Sequence, residues 1–203
     1  MRLIVATLVL LLAIPIHANG QHSDTVPDTR RLGMAVDYFA GGKYHEALTL
    51  FIKLDKKYKL NPRFIAYTGI CYYHEQDYPK ACLYLDRAMP HIDVYAPAER
   101  NVYYNTAAES HFKIGEYDKA IPFYEKQILV CRKEEKADAL YRLGFCHMFL
   151  EEWGKAAETF MSAAACYRAF PTSVSMGRLK QLDNMIKGCL QKAANQRAFH
   201  GLS

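Results

Sequence analysis

The strongest constraint on this chain is a short pattern that returns four times. The pattern occurs as GGKYHEALTLFIK at 41–53, EQDYPKACLYLDR at 75–87, IGEYDKAIPFYEK at 114–126 and LEEWGKAAETFMS at 150–162. The shared alanines stand at positions 47, 81, 120 and 156, which are 34, 39 and 36 residues apart. A period in this range is typical of helical units that stack on one another.

Three further positions recur around each alanine. Twelve residues before it stands another small residue, at Ala35, Gly69, Ala108 and Gly144. Three residues before it stands an aromatic residue, at Tyr44, Tyr78, Tyr117 and Trp153. Four residues after it stands a bulky residue, at Phe51, Leu85, Tyr124 and Phe160. We predict a pair of antiparallel helices in each unit, because small residues on facing helices let two backbones approach closely and a large residue one turn away fills the adjoining space.

This arrangement of small and large residues resembles the tetratricopeptide repeat family over about residues 28–168. The resemblance implies an all-α fold, a right-handed superhelical solenoid of four helix hairpins followed by a C-terminal capping helix. The four units are predicted at about 28–61, 62–95, 101–134 and 137–170. A single hairpin cannot cover its own apolar face, so several must stack to form a core.

The C-terminal part of the chain predicts one more helix, at 172–198. Apolar residues recur there in steps of three and four, at Leu179, Leu182, Ile186, Cys189 or Leu190, and Ala193. Such a helix would cover the open end of the stack. Its other face is basic, with Arg178, Lys180, Lys187, Lys192 and Arg197. We expect a solvated face, with peripheral contact to an anionic membrane surface or an acidic partner as the weaker alternative.

The N-terminus has the features of a secretory signal peptide over residues 1–20. Arg2 supplies the positive start, residues 3–16 carry no charge, and small residues follow at Ala18 and Gly20. We predict cleavage near Gly20 and a short linker at 21–27. The mature protein is then expected in the periplasm or outside the cell.

Composition and charge narrow the class of protein. Hydrophobic residues make up 51% of the chain and charged residues 23%, which is typical of a globular protein. The net charge is +5, but lysine and arginine residues are interspersed with acidic residues along the chain. We therefore predict no basic face that would bind nucleic acid. An exported protein can form disulfides. The sequence does not decide whether disulfides form here or which cysteines they would join. The six cysteines are Cys71, Cys82, Cys131, Cys146, Cys166 and Cys189.

Motifs for catalysis or metal binding are missing from the sequence. There is no Gly-x-Ser-x-Gly, no His-Glu-x-x-His and no Cys-x-x-Cys. His111 and His147 stand where the family usually has a tyrosine, which Tyr38 and Tyr72 retain. We interpret the two histidines as packed substitutes for tyrosine rather than as metal ligands. No catalytic activity, cofactor or metal is predicted.

The resemblance also implies a binding surface, because first helices of the family line a concave groove. Matching positions in this chain are Leu32, Val36, Phe39, Arg63, Ile70, Tyr73, His74, Asn105, Glu109, Phe112, Lys113, Tyr141, Phe145, Met148 and Phe149. The set is mainly aromatic and apolar, and a clamp for a free carboxylate is disfavoured because Leu32 and Val36 occupy early groove positions. Phe145 and Phe149 are equally compatible with the groove and with the core.

The function predicted from this surface is that of an exported adaptor or scaffold that binds a partner protein or peptide. An amphipathic helix or an extended hydrophobic segment would suit the groove. The alternative is a sensory or regulatory module that binds a small ligand or glycan in the same groove. A homodimer is left open by the sequence.

Overall fold

The computed structural model describes residues 27–171 and 175–200, and all regular structure within them is helical. The predicted signal peptide and most of the predicted linker lie outside the described residues. The helices are α1 Asp28–Ala40, α2 Tyr44–Asp55, α3 Pro62–His74, α4 Tyr78–Ala88, α5 Pro97–Lys113, α6 Tyr117–Val130, α7 Lys136–Phe149, α8 Trp153–Ala169 and α9 Ser175–His200.

Helices α1 to α8 pack as four successive hairpins, which we call units one to four, and each hairpin packs on the next. This arrangement confirms the predicted all-α solenoid. The third unit differs from the sequence-based expectation at its start. Helix α5 begins at Pro97, four residues before the predicted boundary at 101. Proline is common in the first turn of a helix, because its fixed φ is helical. The N–H that proline lacks would have no partner within the helix at that position.

The hairpin turns share one backbone conformation. The residue five positions before each repeat alanine has a positive φ, 72° at Gly42, 61° at Gln76, 79° at Gly115 and 58° at Glu151. Glycine adopts this left-handed conformation without strain, whereas Gln76 and Glu151 adopt it against the preference of a residue with a Cβ. The common turn sets the angle at which each second helix returns along the first.

The small residues of the repeat lie where paired helices touch. The repeat alanines and the bulky residues that follow them are all fully buried. A Cβ atom at Gly69 would stand 2.7 Å from Cγ of Leu85, and one at Gly144 would stand 2.4 Å from Cε1 of Phe160. Glycine is therefore required at both positions by the proximity of the partner helix.

The last helix, α9, covers the end of the stack. It packs along α8 through Leu182, Cys189 and Ala193, which are buried. The ammonium group of Lys192 lies 3.9 Å from the ring centroid of Trp153, at the start of α8. The predicted capping helix is thus confirmed. Among the described residues, none of the helices combines the length and the apolar character that crossing a membrane requires.

Substitution of Gly144 by alanine tests the close approach of α7 and α8. The new methyl group would overlap the buried ring of Phe160, and we expect the free energy of unfolding to fall by about 1–3 kcal/mol. The matched control is Gly188→Ala on α9, where, among the described residues, a Cβ would meet no atom within 4 Å. That change should stabilise by up to about 1 kcal/mol through helix propensity. Urea unfolding measures both, and equal effects would contradict the packing described here.

Candidate functional site

The first helices of the four units, α1, α3, α5 and α7, form one continuous surface, which we call the inner face. Rings connect one helix with the next along it. Phe39 of α1 stacks on Tyr67 of α3 with 4.1 Å between ring centroids, and Tyr67 in turn lies 6.4 Å from Tyr103 of α5. Further along, Phe112 of α5 lies 6.0 Å from Phe149 of α7.

Five aromatic residues at the α5–α7 end of the inner face form a cluster that we call the aromatic belt: Phe112, Tyr117, Tyr141, Phe145 and Phe149. Phe149 stacks on Tyr117 at 4.6 Å, and Phe145 meets Tyr141 edge-on at 4.9 Å. Phe149 is 48% exposed, although its ring is held by its neighbours. Phe145 is half-buried and also packs on Phe160, so it serves the core and the surface together.

A cavity of about 400 Å³ opens beside the belt, between the turn from α7 to α8 and helix α9. Met148 and Phe149 form one wall, and Met185 and Cys189 form the opposite wall. Lys192 lies at the same cavity. Its lining is mainly apolar, with Glu151 and Lys192 as its charged residues, and it extends the exposed aromatic surface.

At the opposite end of the inner face, the predicted residues are more enclosed. Leu32 lines an apolar cavity of about 340 Å³ together with Leu54 and Phe64. Val36 is half-buried against the core. Ile70 is only 4% exposed, so its side chain belongs to the core and presents no surface to a ligand.

Two predicted basic residues contact neighbouring units. The guanidinium group of Arg63 donates to both carboxylate oxygens of Glu99, at 2.7 and 3.0 Å, and lies 4.5 Å from the ring centroid of Tyr95. The ammonium group of Lys113 lies 6.0 Å from the ring centroid of Tyr78. Arg63 therefore ties α3 to α5. Its bidentate partner, 36 residues away, was not predicted from the sequence.

His74 lies at the seam between units one and two, and the ring of Tyr73 lies beside it with 5.6 Å between ring centroids. The ring of His74 stacks flat on Tyr44, with centroids 3.7 Å apart, and Tyr73 meets Tyr78 edge-on at 5.7 Å. Burial lowers the pKa of His74 and raises the pKa of Tyr73. Both rings are therefore uncharged at neutral pH, as stacking in an apolar surface requires.

A group of polar side chains lies where units three and four meet, and we call it the polar junction. Glu109, only 8% exposed, accepts a hydrogen bond of 2.7 Å from the Tyr124 hydroxyl and forms an ion pair with Arg142, whose Nε lies 2.9 Å away. Burial, together with the charge and the hydrogen bond of Glu109, raises the pKa of Tyr124, which stays protonated. A cavity of about 400 Å³ opens here, lined in part by Asn105, Glu109, Gln127 and Arg142.

The two histidines at the family's tyrosine position each bind the acid that begins the next helix. Nδ1 of His111 lies 2.8 Å from Glu116, and Nδ1 of His147 lies 2.6 Å from Glu152. The second ring nitrogen of His111 lies 3.0 Å from Asp86 on α4. Among the described residues, there is no group of three side chains placed to hold a metal ion. The repeated spacing of five residues between histidine and glutamate was the sequence signal that could have revealed these pairs.

Units one and two use different chemistry at the same place. Their tyrosines lie next to the ammonium group of a lysine, Lys43 at 5.8 Å from the Tyr38 ring and Lys80 at 5.3 Å from the Tyr72 ring. A cation above an aromatic ring in two units thus corresponds to a histidine beside a carboxylate in the other two. All four arrangements attach the first helix of a unit to the turn that follows it or to the start of the second helix.

The six cysteines all lie within the described residues and are free thiols there. Cys71 and Cys146 are buried, and burial raises the pKa of each thiol to about 12. A thiol with such a pKa carries almost no thiolate at neutral pH, and the thiolate is the reactive form. These two residues therefore act as small hydrophobic residues of the core.

The pH dependence of stability tests the ion pairs of His111. Burial lowers the pKa of this ring, but hydrogen bonds to Asp86, Cys82 and Glu116 outweigh burial and raise it from 6.5 to about 10. The folded protein therefore retains a proton that the unfolded chain releases above pH 6.5. The resulting stability is complete below pH 6.5 and is lost as the pH rises towards 10.

We expect the free energy of unfolding to fall by about 1.4 kcal/mol per pH unit between about pH 7 and pH 9 through this group. The control is His111→Tyr, which restores the residue of units one and two and removes the titration. Urea unfolding at several pH values should give a steeper decline for the wild type than for the variant. Parallel curves would show that the ring is not held as an imidazolium.

Comparisons with known proteins agree with this geometry. A family profile described as tetratricopeptide repeat matches residues 108–138. Among solved structures, MamA from strain AMB-1 is 16% identical, with a TM-score of 0.57 over 81% of this chain and 90% of MamA. MamA from Desulfovibrio magneticus RS-1 is 17% identical, with a TM-score of 0.55 over 83% of this chain and 96% of that one.

The apo form of RapI is 14% identical to this chain, with a TM-score of 0.60 over 85% of this chain and 66% of RapI. No curated protein matches the sequence. At these identities the structural likeness concerns the fold, and the profile match concerns the repeat itself. The profile therefore shows one tetratricopeptide repeat at residues 108–138, and the four stacked hairpins and the structural matches show the solenoid fold of such repeats.

Proposed function

We propose that this protein is an exported, non-catalytic adaptor whose inner face binds a partner protein or peptide. The aromatic belt is the observation that carries the proposal. It combines a half-exposed ring, that of Phe149, with neighbouring rings that hold it in place. Soluble proteins expose contiguous aromatic surface mainly where another molecule binds.

The physical advantage of the belt is that little side-chain freedom remains to be lost on binding. Phe149 is stacked on Tyr117, and the guanidinium group of Arg142 lies 5.2 Å from the ring centroid of Phe112. Ordering a free side chain at an interface costs about 0.5–1.5 kcal/mol, which a ring already held in place avoids. Held aromatic residues of this kind are frequent among those that dominate interface energies.

The chemistry of the described side chains supports a role without catalysis. The histidines singled out in the sequence, His111 and His147, are bound to carboxylates that hold helices together. The buried thiol next to His147, that of Cys146, has a raised pKa and little thiolate. A binding role requires none of these groups to react.

Substitution of Phe149 by alanine tests binding at the belt. A partner is first recovered by cross-linking in the cells that make the protein, and its affinity is then measured by titration calorimetry. We expect Phe149→Ala to weaken binding by about thirtyfold, which corresponds to the roughly 2 kcal/mol of an interface anchor. Leu129→Ala on α6 is the matched control, because Leu129 is 83% exposed and lies outside the inner face.

Equal affinities for the two variants and the wild type would remove the belt from the binding surface. A second outcome favours the alternative function. A small ligand or glycan that raises the melting temperature without any protein partner, and does so less in Phe149→Ala, would assign the same surface to small-molecule recognition.

Export is proposed on the basis of residues 1–20, which lie outside the described residues. The charged start, the apolar run to Ile16 and the small residue at Gly20 support it. We expect N-terminal sequencing of the protein purified from the cells that make it to begin at Gln21. A mature chain that begins at Met1 and is recovered from the cytosol would contradict this part of the proposal.

A further inference from the structure

Three positions where successive units meet, each buried or half-buried in every unit, change from apolar to polar in unit three. One position is on the first helix, eleven residues before the repeat alanine. The other two are on the second helix, four and seven residues after that alanine. In the other units these positions hold Val36, Phe51 and Leu54, then Ile70, Leu85 and Ala88, and finally Phe145, Phe160 and Ala163. In unit three they are Glu109, Tyr124 and Gln127, which all carry polar groups.

The polar residues of unit three are as deeply enclosed as their apolar counterparts. Gln127 is 7% exposed, and within the described residues its amide oxygen has no hydrogen-bond partner. Glu109 and Tyr124 satisfy each other, together with Arg142, but Gln127 takes no part in their hydrogen bonds. A buried polar atom without a partner opposes folding, and alanine or leucine serves this position in the other units. Packing alone therefore does not explain the glutamine.

The cavity of the polar junction adjoins this glutamine, and its charges balance. Two acids line it, and each is paired with a base, Glu109 with Arg142 and Asp138 with Arg178. A ligand with a net charge would meet both signs at close range. A neutral group that both donates and accepts hydrogen bonds suits the lining better, because Gln127 itself presents one amide with a donor end and an acceptor end.

We propose that the polar junction binds a main-chain amide of an extended peptide segment, with the Gln127 side chain as its hydrogen-bonding partner. This inference rests on the proposed function and adds the conformation of the bound partner. A peptide group carries one N–H and one C=O, which complement the two ends of the glutamine amide. Gln127 lines this cavity, although its amide oxygen is itself enclosed. A half-turn about its last side-chain bond exchanges the oxygen and the nitrogen, so that either end can face a ligand.

The inference excludes a helical partner at this point of the inner face. Between the first and last turns of a helix, the main-chain amides are already hydrogen-bonded within the segment and are not free to pair with a side chain. In an extended segment they are free, and alternate side chains point to opposite sides. The neighbouring rings of Phe112, Tyr141 and Phe145 offer the apolar contacts that such side chains require.

The test uses a library of random linear peptides selected for binding to the full-length protein. The tightest peptide is then made with a single N-methyl group at each main-chain amide in turn. We expect Gln127→Ala to weaken binding by about tenfold, with an unfolding midpoint that is unchanged or higher because an unpaired polar group has been removed. N-methylation at one position of the peptide should weaken binding to the wild type by a similar factor. The same N-methyl group should cause little further loss of affinity for the Gln127→Ala variant, because the two groups interact with each other.

The control variant is again Leu129→Ala, and Gln127→Leu, which places the residue of unit one, repeats the test if the alanine variant does not fold. Peptides that lose affinity in Phe149→Ala but show no N-methyl position coupled to residue 127, or that bind as helices by circular dichroism, would overturn the inference and leave the proposed function standing. Selection of no peptide sensitive to Phe149→Ala would overturn both.

Discussion

The close approach of two helices at paired small residues is the contact on which the rest of the structure depends. Where Gly144 faces Phe160, the partner ring occupies the space that any Cβ would fill. Each hairpin has a small residue at this position, so the distance between its two helices is short in every unit. The positions of the first helices relative to one another follow from that distance. The inner face is thus a consequence of packing, and its aromatic residues inherit a fixed spacing from the repeat.

The fold was predictable because its determinants lie close together in the sequence. The small residues, the aromatic residue and the bulky residue of a unit fall within 17 consecutive positions, so one chain compared with itself reveals them four times. Which helix lines a groove was implied by the family resemblance and not by this comparison. The comparison also placed the start of α5 four residues late, because Pro97 extends that helix beyond the length of the repeat.

The state of each side chain on the inner face was less predictable, because it depends on partners from other units. Arg63 occupies a groove position but is held by Glu99, and Ile70 occupies another but is covered by the core. Neither outcome follows from spacing within a unit. The contacts of His111 were predictable in part. Its partner Glu116 is five residues away and visible in the repeat, whereas its partner Asp86 comes from the preceding hairpin.

Unit three combines both levels of information. The repeat itself shows that Glu109 and Gln127 interrupt an apolar pattern. Only the structure shows that they are enclosed and that a cavity adjoins them. A solenoid tolerates such a unit because stability is approximately a sum over units and their interfaces. The strongly packed joints on either side, with Leu85 and Phe160 fully buried, can offset a weaker joint between them. Repeat architecture thereby tolerates one polar junction while its neighbours maintain the fold.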